Sequence, residues 1–280
     1  MPLPVHTALR YVTPLREGGS LPALVETTGG MAVVKFRGAG QGARALVAEI
    51  LVGRLAETLG LPLPDLSAVR LADDFGRAEP DPEIQDILRG SSGLNVGLAF
   101  VPGAFAYEHA AHADLIDPDL AADVVWLDAL ATNIDRTARN PNLLMARADD
   151  GPQLWLIDHG AALYFHHNWA AVDAERAQTP FPAIRDHVLL PVASSLLDAD
   201  ARLAPQLSSV AITDLVDSVP DDLLLATPPG RQPDFDSADA ARSAYADYFR
   251  QRLAGPRRWV EEAERARAQA PETSALPYRR

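Results

Sequence analysis

The sequence contains no cysteine. That excludes disulfides, thiolate zinc sites and a cysteine nucleophile. Long hydrophobic runs are missing too, and no apolar stretch approaches the ~20 residues of a membrane-crossing helix. The opening residues MPLPVHTALRY hold no basic segment followed by an apolar core, so no secretory signal is expected. Positive charge is scarce: 25 Lys and Arg against 38 Asp and Glu give a net charge of −13. Such a surface repels nucleic-acid phosphates and anionic membranes. The expectation is a soluble, cytoplasmic protein with no nucleic-acid or membrane partner. Its 280 residues suffice for one large domain or two lobes.

The scarcest charged residue is lysine. Of the 25 basic residues only Lys35 is a lysine, and every other one is arginine. A compact ammonium on a flexible stem fits where a planar guanidinium cannot, which points to point-charge chemistry in a confined pocket.

The pattern around Lys35 is strand-like. Residues 8–13, 22–26 and 31–36 read as three strands, with a hairpin turn at Thr27-Thr28-Gly29-Gly30. A short glycine loop, Glu17-Gly18-Gly19-Ser20, separates the first two. After the third strand come Gly38-Ala39-Gly40-Gln41-Gly42 and an apolar-periodic helix over 43–59, ended by Gly60 before Pro62. Strands are expected at 67–71 and 96–101 with mostly loop between them, and Pro102-Gly103 reads as a hinge. Beyond it Leu120, Val124, Leu127 and Ala131 mark a helix, 143–146 and 154–157 a second hairpin, and 237–254 and 257–269 the clearest of the later helices. The outline is α+β: a small antiparallel-sheet lobe over 1–101 and a larger helical lobe over 102–280.

Three features join Lys35. Glu49 lies on the following helix, although Glu57 on that helix is an alternative. Asp135 and Asn140 stand in TNIDRTARNPNLL just before a strand, and Asp158 in WLIDHG follows one. The intervening hairpin would bring Asn140 and Asp158 to the same end. Phosphoryl transfer uses such parts: a lysine for the phosphates, a helix acid to hold it, an aspartate to orient the acceptor hydroxyl, and hard oxygen ligands for Mg²⁺. The glycine loop, through Gly18, Gly19 and Ser20, could present backbone N–H groups to phosphate.

The order glycine loop, strand lysine, helix glutamate, Asp-x4-Asn, hairpin, Asp-x-Gly resembles the protein-kinase-like fold. In detail VVKFRGAGQGARALVAE, TNIDRTARNPNLL and WLIDHGAALYFHHNW resemble the HipA-like kinases, a compact bacterial group, over residues 8–185. The resemblance implies a two-lobed kinase using ATP and Mg²⁺, with Asp135 and Lys35 catalytic and Asn140 and Asp158 as metal ligands. Serine or threonine hydroxyls are the implied acceptors, and a toxin–antitoxin-type protein partner belongs to the same expectation. The chain departs from related patterns in three places: Asn133 stands where many kinases have histidine, the metal motif is Asp-His-Gly, and Gly18 takes the place of a loop serine found in larger HipA toxins.

Rival readings remain at this stage. One is a small-molecule kinase on the same scaffold. Others are a nucleotide-binding pseudokinase acting as an interaction module, or an enzyme transferring AMP instead of phosphate. GAGQGA also fits a dinucleotide-binding fingerprint, with Asp65 as its ribose acid, though Pro62 and Pro64 fall where its next strand would run. His159, His166 and His167 invite a metal reading, but adjacent histidines on a strand cannot both face one ion.

Overall fold

The computed structural model describes residues 2–15, 21–40, 42–77, 79–148, 151–227 and 230–271. Strands β1 (Val5–Pro14), β2 (Ala23–Thr27) and β3 (Gly30–Lys35) form an antiparallel meander. The β2–β3 turn closes on Gly30 at φ +108, a conformation that suits glycine. There Thr27 Oγ1 accepts from Gly29 N and donates to Gly30 O. Helix α1 (Gly42–Thr58) follows, then β4 (Leu66–Leu71), α2 (Pro82–Arg89) and β5 (Gly93–Ala99).

These five strands close a barrel in the order β1-β2-β3-β5-β4. The expectation of a purely antiparallel sheet is corrected here, because β1 pairs with β4 in parallel over Val5–Thr7. The physical reason lies in β1 itself. Its register shifts between Ala8 and Arg10 and again between Tyr11 and Thr13, and such irregularities bend a strand. One end of β1 can then pair β2 while the other reaches β4.

Residues 82–89, expected as loop, form α2. Asp81 caps it by accepting from Glu83 N at 3.0 Å, and Pro82 occupies its first turn. Ile84 and Leu88 join the barrel's inner cluster with Val25, Val34, Val69 and Leu71. The dinucleotide reading fails on topology: β5 separates β3 from β4 in the barrel, so no parallel pair flanks α1.

After β5 the chain runs through β6 (Phe105–Ala106), α3 (His109–His112) and α4 (Pro118–Ala131), then the hairpin β7 (Leu143–Ala148) and β8 (Gly151–Leu156). Strand β6 joins that hairpin to make a small sheet. Helices α5 (Ala174–Ala177), α6 (Leu196–Leu203), α7 (Ser209–Asp217), α8 (Asp221–Leu224), α9 (Ala238–Ala254) and α10 (Arg258–Gln269) complete the described chain. A second, larger apolar cluster runs continuously from α1 through α4 to α9 and α10. Trp126 is fully buried in it, packed edge-on against Trp259, whereas Trp155 and Trp169 are only half-buried. Among the described residues no helix is long and apolar enough to cross a membrane.

Candidate active site

Alternation along β3 sets the site. Ala32 and Val34 point into the barrel core, so Lys35 leaves by the opposite face. There its Nζ meets Glu49 Oε2 of α1 at 2.7 Å and Asp158 Oδ1, just beyond β8, at 2.6 Å. Three distant segments converge on one ammonium. The Lys35 side chain is 12% exposed, Glu49 0% and Asp158 36%, so the cluster opens to solvent on the Asp158 side.

Burial alone would lower the lysine pKa, but the charges of Glu49 and Asp158 outweigh it and the net shift is upward. The two acids differ. Burial drives Glu49 up despite the pull of Lys35, whereas at Asp158 the lysine overcomes burial and the carboxyl falls below its usual range. Glu49 Oε2 also accepts from His159 N at 2.7 Å, and its Oε1 is buried without a partner. Between the two glutamates of α1, the structure selects Glu49; Glu57 pairs with Arg54 instead.

The loop after α4 holds the second group. Asp117 caps α4 by accepting from Asp119 N and Leu120 N, and the helix ends at Thr132 in a left-handed conformation. Asp135 Oδ2 then accepts from Asn140 Nδ2 at 2.7 Å and Asn142 Nδ2 at 3.2 Å. Asn140 is therefore hydrogen-bonded to Asp135. The two loops still run side by side, since Ile157 N donates to Asn142 O.

Beneath both loops lies a buried network that sequence reading missed. Arg136, 1% exposed, donates from Nε to Asp128 Oδ2 at 2.6 Å and from Nη1 to the carbonyls of Asn142 and Ile157. Its Nη2 lies 3.1 Å from His159 Nδ1. Asp128 also bonds Asn133 Nδ2 and His187 Nε2, both at 2.9 Å. Burial pushes Asp128 up, yet Arg136 and His187 win and hold it far below the usual carboxylate range. His159 is also lowered, to about 3, but here burial and the Arg136 charge act together. The available signal was Asp128 itself, a lone acid inside the apolar run VVWLDALA.

Other expected residues fall elsewhere. Gly18, Gly19 and Ser20 lie outside the described residues. At the entry to α1, a Cβ on Gly38 would lie 2.5 Å from Ile87 O at the end of α2, and Gly42 starts the helix at φ +65. His166 bonds Tyr245 Oη through Nδ1, and its ring meets that of His167 edge-on. Among the described residues no group of three His, Cys, Asp or Glu side chains is placed to hold a metal.

Residues 13–178, more than half the chain, match the protein-family model described as HipA-like kinase. The chain belongs to the HipA-like kinase family. Membership makes it a kinase-type phosphotransferase. Among solved structures it is similar in fold to the Helicobacter pylori proinflammatory kinase CtkA, with a TM-score of 0.51 at 12% identity, over 97% of this chain and 100% of that one. No curated protein matches the sequence. The family match ends at residue 178, so α6 to α10 lie beyond it and the whole-chain likeness there is one of fold.

Proposed function

We propose that this HipA-like kinase uses ATP and Mg²⁺ to phosphorylate serine or threonine hydroxyls on proteins, with the barrel side (1–101) and helical side (102–280) acting as two lobes around the cluster. The observation that carries the reading is Lys35 Nζ held between Glu49 and Asp158. An ammonium has three N–H donors and two are taken here, which leaves one for a phosphate oxygen. A guanidinium is bulkier and spreads its charge over three nitrogens, so it does not replace a compact point charge in that space, which favours lysine at this position.

The donor set fits a hard cation. Asp158 keeps an accessible carboxylate and Asn140 a side-chain carbonyl, the oxygen types Mg²⁺ takes. A metal held there would neutralise phosphate charge. On Asp135 the two amides pin Oδ2, leaving Oδ1 to receive the acceptor proton. As that proton leaves, the acceptor oxygen bonds to the γ-phosphorus. The bridging P–O bond breaks with its electrons going to ADP. Buried Arg136 holds both loops by their backbones, so Asp135 and Asp158 keep a fixed relation.

Mg·ATP turnover and self-phosphorylation of wild type, Asp135→Ala and Lys35→Arg test this reading. Transfer in the wild type should fall by about 10²–10⁴ in Asp135→Ala, and Lys35→Arg should lose nucleotide-dependent transfer. The mass of the product separates phosphate from AMP. Full transfer in Asp135→Ala would remove that residue from the chemistry.

A further inference from the structure

Beside the Asp135 loop two cavities of ≈ 350 and ≈ 280 Å³ adjoin, sharing Tyr164, Phe165 and Arg176 in their walls. The larger is also lined by Ile134, the residue immediately before Asp135. Their combined size is that of a ligand site rather than a packing defect. Two features of the lining are unusual for an acidic protein. First, large apolar groups stand open at the rim: Tyr164 is 61% exposed and Ile134 45%. The floor beneath them is fixed, since Phe165 stacks on buried Tyr248 with ring centroids 3.6 Å apart. Second, no carboxylate lines either cavity, although the chain carries 38 Asp and Glu. The charged side chain common to both walls is Arg176, just after the segment that follows Asp158. Its backbone N–H is used by Asp173, while its guanidinium makes no hydrogen bond or ion pair among the described residues.

We propose that this groove is the acceptor surface, and that it takes a protein segment in which the serine or threonine is flanked by a large apolar side chain and a carboxylate. The proposal rests on the phosphotransfer reading above and narrows its substrate class. The apolar neighbour covers Tyr164 and Ile134, and the carboxylate pairs with Arg176 in the bidentate manner a guanidinium favours. A polycationic small acceptor meets Arg176 and no carboxylate in either cavity wall, so charge disfavours it. An extended segment also suits two adjoining cavities better than a compact metabolite does.

The test is a peptide array with a central serine or threonine and every residue varied at the flanks, phosphorylated with radiolabelled Mg·ATP. A panel of aminoglycosides is assayed in parallel. Wild type, Arg176→Glu and Tyr164→Ala are compared, with calorimetric Mg·ATP binding to verify that each variant is folded. Wild type should prefer acidic and large apolar flanks. Arg176→Glu should lose about tenfold in kcat/KM on acid-bearing peptides, the worth of one charged hydrogen bond at an open site, and gain on lysine-bearing ones. Tyr164→Ala should flatten the apolar preference. Wild type that binds Mg·ATP and transfers phosphate with no charge preference overturns the inference. So does an unchanged profile in Arg176→Glu, or transfer to aminoglycosides alone. Wild type that neither binds Mg·ATP nor transfers phosphate overturns the phosphotransfer reading itself, and this one with it.

Discussion

Replacing Arg136 by methionine should unfold the site from below. The guanidinium is 1% exposed and bonds Asp128, His159 and the carbonyls of Asn142 and Ile157. Methionine fills much of the volume but leaves Asp128, itself fully buried, without its strongest counter-charge. Breaking a buried pair from one side costs about 3–5 kcal/mol. With an unfolding entropy of about 2.1 cal/mol/K per residue, that is a fall in Tm of roughly 5–8 °C for a chain of this length. A second signature follows from His187, whose Nε2 contacts the same Asp128 oxygen. In the wild type burial lowers its pKa, Asp128 pulls it back and Arg136 pushes it down again. Without Arg136 the histidine pKa rises. In the wild type the lowered pKa of His187 makes stability fall as pH drops through the histidine range, and the variant, whose histidine protonates more readily, is penalised less there. Arg136→Met should therefore lose less stability at pH 6 than at pH 8. Calorimetric melting at both pH values measures this, with Asp128→Asn and the double variant completing a cycle. The double variant should recover more than half of the loss, because the orphaned charge is gone. A cost below about 1 kcal/mol, or one unchanged by Asp128→Asn, would refute the reasoning.

Two further outcomes are expected. His159 has its pKa pushed down to about 3 by burial and Arg136, so protonation favours the unfolded chain, and stability is lost as pH falls below about 6.5. Between pH 7 and 5 this one group should remove about 2 kcal/mol in denaturant titrations. His159→Asn, which keeps an acceptor for Arg136, should lack that component, and superimposable pH profiles would exclude the buried neutral histidine. Gly38→Ala would place a Cβ 2.5 Å from Ile87 O, a backbone atom. It should cost about 1–3 kcal/mol, and a variant as stable as wild type would mean that α2 does not press on this turn.

The parts of the site that were legible were those with local signatures. Lys35 sits on an alternating strand, Asp135 and Asn140 precede a hairpin, and Asp158 follows it; each is a short-range pattern that one segment carries alone. Helix α2 was legible too, had Asp81-Pro82 been read as a cap and first turn. Arg136 and Asp128 were not. An arginine in a loop and an acid in a helix are unremarkable in sequence, and only their joint burial makes them a unit.

The sequence by itself determined the strand order in chain, the long helices and the identity of the family, because periodicity and motif spacing are properties of contiguous residues. It also determined that a single side-chain ammonium is available, since the chain has one lysine. Tertiary structure decided three things. It closed the barrel through a parallel β1–β4 pair, it chose Glu49 over Glu57, and it gave Asn140 to Asp135. Each is a choice between partners far apart in the chain or equivalent on one helix. Such choices are made by which face is buried and which charge must be compensated, and burial exists only once the chain has folded.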